Sequence, residues 1–279
     1  MHSLVPFALI VTIATAVTVA APPALADANA DPTYEVKLDL GTSALTSSGT
    51  PTGAVLAAFG LGSSGAQRSY EYLDTSALDL NGQGWDVRLR HKAGKDLELS
   101  YKKRFPVSGG DVDAALDDAN DAGFDASDTN YDAEVDWGYA KQTLSFSNEK
   151  SASAKNYQGT SLPAGSTAVS LATGQCPGKL QDWGSKNWGT TTLQASRVHG
   201  PVTSTVWSGT YEGQDASIEV LPVRTADGSG TERVVELSVK ADDHDTAARV
   251  RADAIATADA RGWLLHTDVL KTQLVLTRY

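Results

Sequence analysis

The sequence predicts an α+β fold that is mainly antiparallel β-structure. Short segments in which apolar and polar residues alternate recur along most of the chain, as expected for strands with one face against a core. Apolar residues at helical spacing are sustained over only two segments, 109–124 and 245–261, and a shorter helix is predicted at 53–59. Each long helix ends in a glycine followed by an aromatic residue, Gly123-Phe124 and Gly262-Trp263.

The alternating segments predict the strands in chain order. In the third of them Val87 and Leu89 point one way, and Arg88 and Arg90 point the other. We predict strands at 33–40, 70–75, 85–90, 97–104, 131–138, 141–147, 190–199, 203–211, 216–224 and 232–240.

The domain organisation is predicted from one change in composition. Residues 149–188 are rich in Ser, Gly, Ala, Lys and Thr, which is typical of a loop. The segment is either a domain boundary or an insertion within one domain. We predict a single domain over 27–279 with a loop-rich insertion at about 149–188.

The first 26 residues have the pattern of a secretory signal peptide. Leu4 to Ala21 carry no charge, and Ala24-Leu25-Ala26 is a small-x-small cleavage site with Asp27 after it. An uncleaved membrane anchor is the alternative, because the apolar run nearly reaches spanning length. We predict cleavage after Ala26, a secreted protein, and no membrane attachment after cleavage.

Charge and cysteine content exclude several classes of protein. The formal net charge is −11, which argues against sequence-independent binding of nucleic acid. A local basic cavity for an anionic ligand is compatible with that charge. Cys176 is the only cysteine, so the chain makes no internal disulfide, and the residue is either an inert thiol in a loop or a reactive one.

Ionisable residues share the polar faces of the predicted strands. Glu35 and Lys37 lie on one face of the first strand, and Arg88 and Arg90 lie on one face of another. The pattern continues on three further strands with Lys102, Glu134, Asp136 and Glu236. Alternation shows that a face is polar, but not whether it lines a cavity or meets bulk water.

A closed antiparallel barrel would bring these polar faces together. Its cations would then neutralise a polyanion such as a chain of phosphates, and its carboxylates would hold a hard divalent cation. Phosphoryl transfer needs little beyond such positioning and charge neutralisation. The sequence contains no Ser/His/Asp arrangement, no phosphate-binding glycine loop, and no metal-ligand spacing among its five histidines.

An ordered set of short motifs resembles the CYTH domain family, the triphosphate tunnel metalloenzymes. The motifs are Glu35-x-Lys37, Tyr72-Leu73-Asp74-Thr75, Arg88-x-Arg90 with Ser100-x-Lys102, and the helix-Gly-Phe element at Phe124. The resemblance covers most of 33–279 and is best before Trp137. It implies a closed eight-stranded barrel, or tunnel, with a few peripheral helices. With the predicted signal peptide, it suggests a secreted bacterial member of the family.

The resemblance also implies a role for each matching residue. Glu35 and Lys37 would be catalytic. The ligands of a triphosphate or polyphosphate substrate would be Lys37, Arg88, Arg90, Lys102, Arg197 and Lys271. The ligands of a Mg²⁺ or Mn²⁺ ion would be Glu35, Glu134, Asp136 and Glu236.

Two departures from the family pattern leave the function open. Thr33 occupies the first glutamate position of the signature, and Ser238 stands where a second late acid is expected. The loss of two carboxylates weakens a hard-cation site. The leading prediction is metal-dependent hydrolysis of a triphosphate or short polyphosphate. The alternatives are a catalytically silent, secreted protein that binds polyphosphate or another polyanion, and a structural barrel whose polar faces meet solvent.

Overall fold

The structure, a computed structural model, describes residues 28–279. The predicted signal peptide, 1–26, lies outside the described residues. The strands are β1 (Thr33–Leu40), β2 (Ala66–Asp74), β3 (Trp85–Lys92), β4 (Leu97–Val107), β5 (Asp132–Trp137), β6 (Gln142–Ala152), β7 (Arg197–Tyr211), β8 (Gln214–Arg224) and β9 (Thr231–Ala241). The helices are α1 (Gly53–Ala58), α2 (Asp79–Gly82), α3 (Val112–Asp121), α4 (Ser166–Gly174), α5 (Gly178–Gln181), α6 (Trp188–Gln194), α7 (His244–Asp259) and α8 (Lys271–Arg278).

The strands close into a barrel in the order β1-β5-β6-β4-β3-β2-β7-β8-β9, with β9 returning to β1. Every neighbouring pair is antiparallel except β1 and β5, which are parallel. The prediction of a mainly antiparallel closed barrel is confirmed. The predicted count of eight strands is wrong, because within residues 28–279 there are nine. That count came from the family resemblance, whereas the separate strand predicted at 131–138 is present as β5.

The barrel places many of its ionisable residues inside and most of its apolar residues outside. Val87 and Leu89 of β3 are buried in the outer core, whereas Arg88 and Arg90 line an internal chamber. The outer core fills the space between the barrel and its helices, and aromatic rings occupy much of it. For example, Phe124 follows α3 and packs its ring 5.1 Å from the ring of Phe146 on β6. The polar face that alternation identified on β3 is therefore the inner face of the barrel.

The two long helices end as the sequence predicts. Gly123 adopts a φ of +86°, a conformation that a side chain disfavours, and it reverses the chain after α3. The amide of Phe124 then donates to the carbonyl of Ala119, and the amide of Trp263 donates to Ala258 at the end of α7. Both aromatic rings are buried against the barrel.

The middle of the chain contains more regular structure than its composition indicated, and the strand predicted at 190–199 is wrong. Residues 149–188 contain the end of β6 and the helices α4 and α5, and α4 packs on the barrel through buried Ala168 and Ala172. Small residues give such a helix a weak hydrophobic pattern. The strand predicted at 190–199 is α6 followed by the start of β7. The threonines of α6 favour a strand locally. The segment is nevertheless helical, with Leu193 buried and Gly189 packed against the carbonyl of Leu180, so tertiary packing outweighs the local preference.

Helix α8 packs against inner residues of the barrel, and no pattern in the sequence predicted it. Val275 and Leu276 are buried in a second, smaller apolar cluster on the inner face of β2, β7, β8 and β9. The other buried members are Tyr70, Tyr72, Val202, Leu221, Val223 and Val234. Within residues 28–279, no helix is long and apolar enough to cross a membrane.

Candidate functional site

Two connected chambers occupy the rest of the barrel interior. The upper chamber has a volume of about 910 Å³, and its charged lining includes Glu35, Arg68, Arg90, Glu134, Glu219 and Lys240. The lower chamber, near the segment before α8, has a volume of about 190 Å³, and its lining includes Asp39, Asp86, Arg104, Asp136, Lys141 and Asp268. Because inward-facing residues of every strand except β7 contribute, period-two alternation places both signs of charge in one cavity.

Five residues line both chambers, and we call this set the waist. Its members are Lys37, Arg88, Lys102, Glu236 and Lys271. Strands β1, β3, β4 and β9 supply the first four, and the first residue of α8 supplies the fifth. All five are among the predicted site residues, so the barrel brings residues that are far apart in sequence into one cavity.

Three carboxylates form an acid cluster next to the waist. Glu35, Glu134 and Asp136 each offer one oxygen, and these oxygens lie within 4.8 Å of one another. The parallel pairing of β1 with β5, which sets Glu35 opposite Asp136, produces this arrangement. Carboxylate oxygens suit a hard divalent cation, so the donor set fits Mg²⁺ or Mn²⁺ chemically.

Lys37 bridges two members of the acid cluster. Its Nζ lies 2.9 Å from Oε2 of Glu35 and 2.6 Å from Oδ1 of Asp136. Burial is the largest single effect and opposes ionisation of both carboxyl groups, but the surrounding cations, Lys37 foremost, together outweigh it and lower the pKa of Glu35 and of Asp136. Burial likewise lowers the pKa of Lys37, and the negative charges of Asp136 and Glu35 raise it well above its usual value. The three groups are therefore ionised together at neutral pH.

The third member of the acid cluster, Glu134, has two lysine partners. Nζ of Lys240 lies 2.9 Å from one carboxylate oxygen, and Nζ of Lys102 lies 3.6 Å from the other. Burial lowers the pKa of Lys240, but the charges of Glu35 and Glu134 raise it overall. The Lys102 contact is long for a direct hydrogen bond, so this ammonium is held less firmly.

Lys271 belongs to a second network of ion pairs. Its Nζ donates to the carboxylates of Glu219 and Glu236, at 2.6 Å for the latter. Glu219 also accepts bonds from Arg68, at 2.8 Å, and from Oγ of Ser204, at 2.5 Å. Although burial opposes ionisation, Lys271 and Arg68 lower the pKa of Glu219. The predicted metal ligand Glu236 thus lies beside Lys271 rather than within the acid cluster.

Arg88 is the inward-facing arginine that lacks an acidic partner. Arg68, Arg90 and Arg104 each form an ion pair with a carboxylate, Arg90 with Glu98. No carboxylate lies within ion-pair distance of Arg88 in the described part of the chain, and its Nε is buried without a hydrogen-bond partner. A buried guanidinium without a counter-ion is costly unless an anion binds to it.

The structure does not bring Arg197 to this site. It is exposed at the first position of β7, and its guanidinium donates to the carbonyl of Val198. It lines neither the upper nor the lower chamber. The other predicted residues, Glu35, Lys37, Arg88, Arg90, Lys102, Glu134, Asp136, Glu236 and Lys271, line one or both chambers.

Sequence reasoning missed several ionisable residues of the upper chamber. Three of these, Lys240, Arg68 and Glu219, form ion pairs within the chamber, and the first two carried a signal in the sequence. Lys240 lies two residues beyond Ser238 and therefore shares its face of β9. Arg68 shares the face of Tyr70, but β2 begins before the predicted strand. Glu219 interrupts an apolar run in β8, and that context gave no indication of a buried ion-pair network.

No protein-family model matches the sequence, and no curated protein matches it at a significant level. Several solved structures resemble the fold. HpAC1 from Hippeastrum, named as a candidate adenylyl cyclase with a dominant triphosphatase activity, is 15% identical with a TM-score of 0.49, over 86% of this chain and 93% of that chain.

Two bacterial neighbours are named as candidate adenylate cyclases. The protein from Bacillus halodurans is 12% identical with a TM-score of 0.44, over 75% of this chain and 81% of that one. The protein from Vibrio parahaemolyticus is 12% identical with a TM-score of 0.43, over 88% and 98%. Identities this low and TM-scores below 0.5 say nothing about the activity of this chain, which is therefore argued from its own residues.

Proposed function

We propose that this protein binds a triphosphate or a short polyphosphate in its chambers and hydrolyses a phosphoanhydride bond there. The observation that carries the proposal is Arg88, a guanidinium at the waist with a buried Nε and no acidic partner among residues 28–279. The ammonium groups of Lys37, Lys102 and Lys271 line the same waist. A chain of phosphates supplies the negative charge that this position lacks, through charge-assisted hydrogen bonds.

The lining residues divide into phosphate ligands and groups that order the reacting atoms. Arg88 and Lys102 are the cations with the weakest internal pairing, so they would bind phosphate oxygens first. Arg90 would bind phosphate oxygens beside them, and its hydrogen bond to Glu98 would fix the orientation of its guanidinium. Lys271 closes the other side of the waist. The upper chamber, at about 910 Å³, is large enough for a triphosphate and part of an organic group.

Glu35 and Lys37 are placed to take part in the reaction itself. Glu35 is ionised at neutral pH, so its carboxylate can orient an attacking water by accepting a hydrogen bond from it. Lys37 stays protonated and can neutralise charge that develops on the phosphate oxygens. Glu35, Glu134 and Asp136 would hold a Mg²⁺ or Mn²⁺ ion, with Glu236 nearby. When bound, such an ion supplies Lewis-acid polarisation of phosphate oxygens and a more acidic water.

Phosphate-release assays test the proposal. Purified protein would be incubated with tripolyphosphate and with ATP, each in the presence of Mg²⁺, Mn²⁺ or EDTA. We expect release of inorganic phosphate from at least one substrate with a divalent cation, and loss of release in the Arg88→Ala variant. Absence of turnover under every condition would remove the claim that the protein is an enzyme.

A second candidate function is polyphosphate binding without catalysis. Every member of the acid cluster already contacts a lysine, and Thr33 and Ser238 supply only hydroxyl groups where carboxylates were expected. Calorimetry with tripolyphosphate distinguishes the two functions. Saturable binding without any phosphate release supports the silent protein, whereas binding that disappears when the cation is removed counts against it.

We further propose that the protein is exported and processed. The support is the apolar run from Leu4 to Ala21 and the cleavage sequence that ends at Ala26. Expression of the full chain in a bacterial host, followed by N-terminal sequencing of the protein from the medium, should give Asp27 as the first residue. A cell-associated product that retains Met1 would contradict this.

A further inference from the structure

Lys240 reaches into the acid cluster from the strand that closes the barrel. It lies on β9 directly opposite Glu35 of β1, and its Nζ is 2.9 Å from Oε2 of Glu134. Its side chain is 61% exposed at the opening of the upper chamber, whereas that of Glu134 is only 16% exposed. The ammonium is therefore attached to the cluster at its solvent side.

The acid cluster is electrically balanced by the protein itself. Its three carboxylates face three ammonium groups, those of Lys37, Lys102 and Lys240. A divalent cation that bound the same oxygens would have to displace at least one ammonium and would be repelled by the others. Charge balance at this cluster is thus reached without a metal ion.

Lys240 differs from the other two lysines in how it is held. Lys37 contacts two carboxylates and lines the waist, as Lys102 does, so both can bind phosphate directly. Lys240 contacts Glu134 at one carboxylate oxygen and does not line the lower chamber. Its position matches that of a counter-ion for the acids rather than that of a ligand at the centre of the tunnel.

We propose that Lys240 is a tethered cation that competes with a divalent ion for the carboxylates of Glu134 and Glu35. Two consequences follow. The wild-type protein binds divalent cations weakly, and its chambers hold a polyphosphate when no divalent cation is present. The second consequence rests on the proposed function, but the first concerns only the acids and the lysine.

A Mn²⁺ titration without polyphosphate tests the first consequence. Calorimetry would compare wild type, Lys240→Met, Lys240→Arg and Lys92→Met, where Lys92 lines the same chamber but pairs with Glu98. We expect Lys240→Met to bind Mn²⁺ about tenfold tighter or more, because a competing charge is removed. Lys240→Arg should remain within about twofold of wild type, and Lys92→Met should change less than Lys240→Met. Equal Mn²⁺ affinity in wild type and Lys240→Met would overturn the inference.

Because Lys240 is largely exposed, these variants should fold, and circular dichroism with thermal unfolding would check this. The second titration uses tripolyphosphate in EDTA. Binding by wild type, weakened in Lys240→Met and retained in Lys240→Arg, supports the tethered cation. Binding only with Mg²⁺ would overturn the inference and leave the proposed function standing. Absence of both binding and turnover would overturn the proposed function, while the Mn²⁺ titration would still decide the role of Lys240.

Discussion

One half of the barrel interior is ionic and the other is apolar, although both are lined by inward-facing residues of the same sheet. On the side of β1, β3 and β4, the inner residues are charged and border the two chambers. On β2, β7 and β8, Tyr70, Val202 and Leu221 are covered by α8, and only the part of β2 and β8 that carries Arg68 and Glu219 reaches the upper chamber. The difference shows that closure of the barrel does not by itself determine whether its interior is polar or apolar. Helix α8 covers the apolar part of the inner surface and excludes water from it. The charged residues that it does not cover line the chambers, where they can pair with one another or bind a ligand.

Removal of a large side chain from α8 should have the largest effect on stability. Leu276 is 4% exposed within the inner apolar cluster. We expect Leu276→Ala to lower the free energy of unfolding by about 3 kcal/mol, through lost burial and a cavity. Urea denaturation would measure this. Leu270→Ala is the matched control, because Leu270 is 62% exposed one residue before α8. A similar loss in both variants would contradict the assignment of α8 to the inner core.

Substitution of Arg88 should weaken phosphate binding in the charged chambers without unfolding the protein. Charge-assisted hydrogen bonds to phosphate are lost in Arg88→Met, so we expect tripolyphosphate affinity to fall about 100-fold. Stability should stay the same or rise, since Arg88 has no carboxylate partner within residues 28–279. Calorimetric titration and thermal unfolding would be run on the same samples. Retained affinity, or a large loss of stability, would show that Arg88 has a structural role instead.

Glu71 extends the comparison to the outer face of the barrel. This residue is 1% exposed, and its Oε1 has no hydrogen-bond partner in the described part of the chain. Burial raises its pKa from 4.5 to about 7. The folded state therefore holds the proton more tightly than the unfolded state. The stability that this provides is fully present below pH 4.5 and is lost as the pH rises to about 7.

We expect wild type to lose on the order of 2 kcal/mol relative to Glu71→Gln between pH 4.5 and pH 8. Urea unfolding of both proteins across this range would measure the difference. Buried Glu219, which is paired with Arg68 and Lys271, has a lowered pKa and should not behave in this way. Parallel pH profiles of wild type and Glu71→Gln would refute the expectation.

The smallest effect is expected at Arg197. The family resemblance predicts a phosphate ligand there, but the guanidinium is outside both chambers. We expect Arg197→Ala to change tripolyphosphate affinity less than about twofold, because an exposed charge is screened by salt and water. Titration at physiological salt would measure this. A loss comparable to that of Arg88→Met would place Arg197 in the binding site after all.

The sequence predicted the direction of side chains better than their partners. Alternation within a strand is local, so it placed Arg88 and Lys102 on the polar faces of their strands, and closure of the barrel makes those faces the inner ones. The acid cluster depends on the parallel register of β1 with β5, which brings Glu35 beside Asp136, and no local pattern encodes that register. The pairing of Lys271 with Glu219 was missed for the same reason.

Helix α8, which fills the apolar part of the barrel interior, also could not be predicted from local sequence. Leu274-Val275-Leu276 is as compatible with a strand as with a helix, because short apolar runs do not separate the two. It is helical because the inner faces of β2, β7 and β8 present an apolar surface that a helix can cover. The prediction of a strand at 190–199 failed in the same way, since packing around Leu193 outweighed the strand propensity of its threonines.

The position of β1 between β5 and β9 has a consequence for folding kinetics. Tyr34 pairs with Val135 on one side and with Ala241 on the other. Strand β1 is therefore fully paired only when β9, the last strand along the chain in residues 28–279, has joined the sheet. Contacts of such high sequence separation form slowly, because loop-closure entropy must be overcome before they are made. Until β9 arrives, the edges of β1 and β8 are unpaired and open to association with other chains.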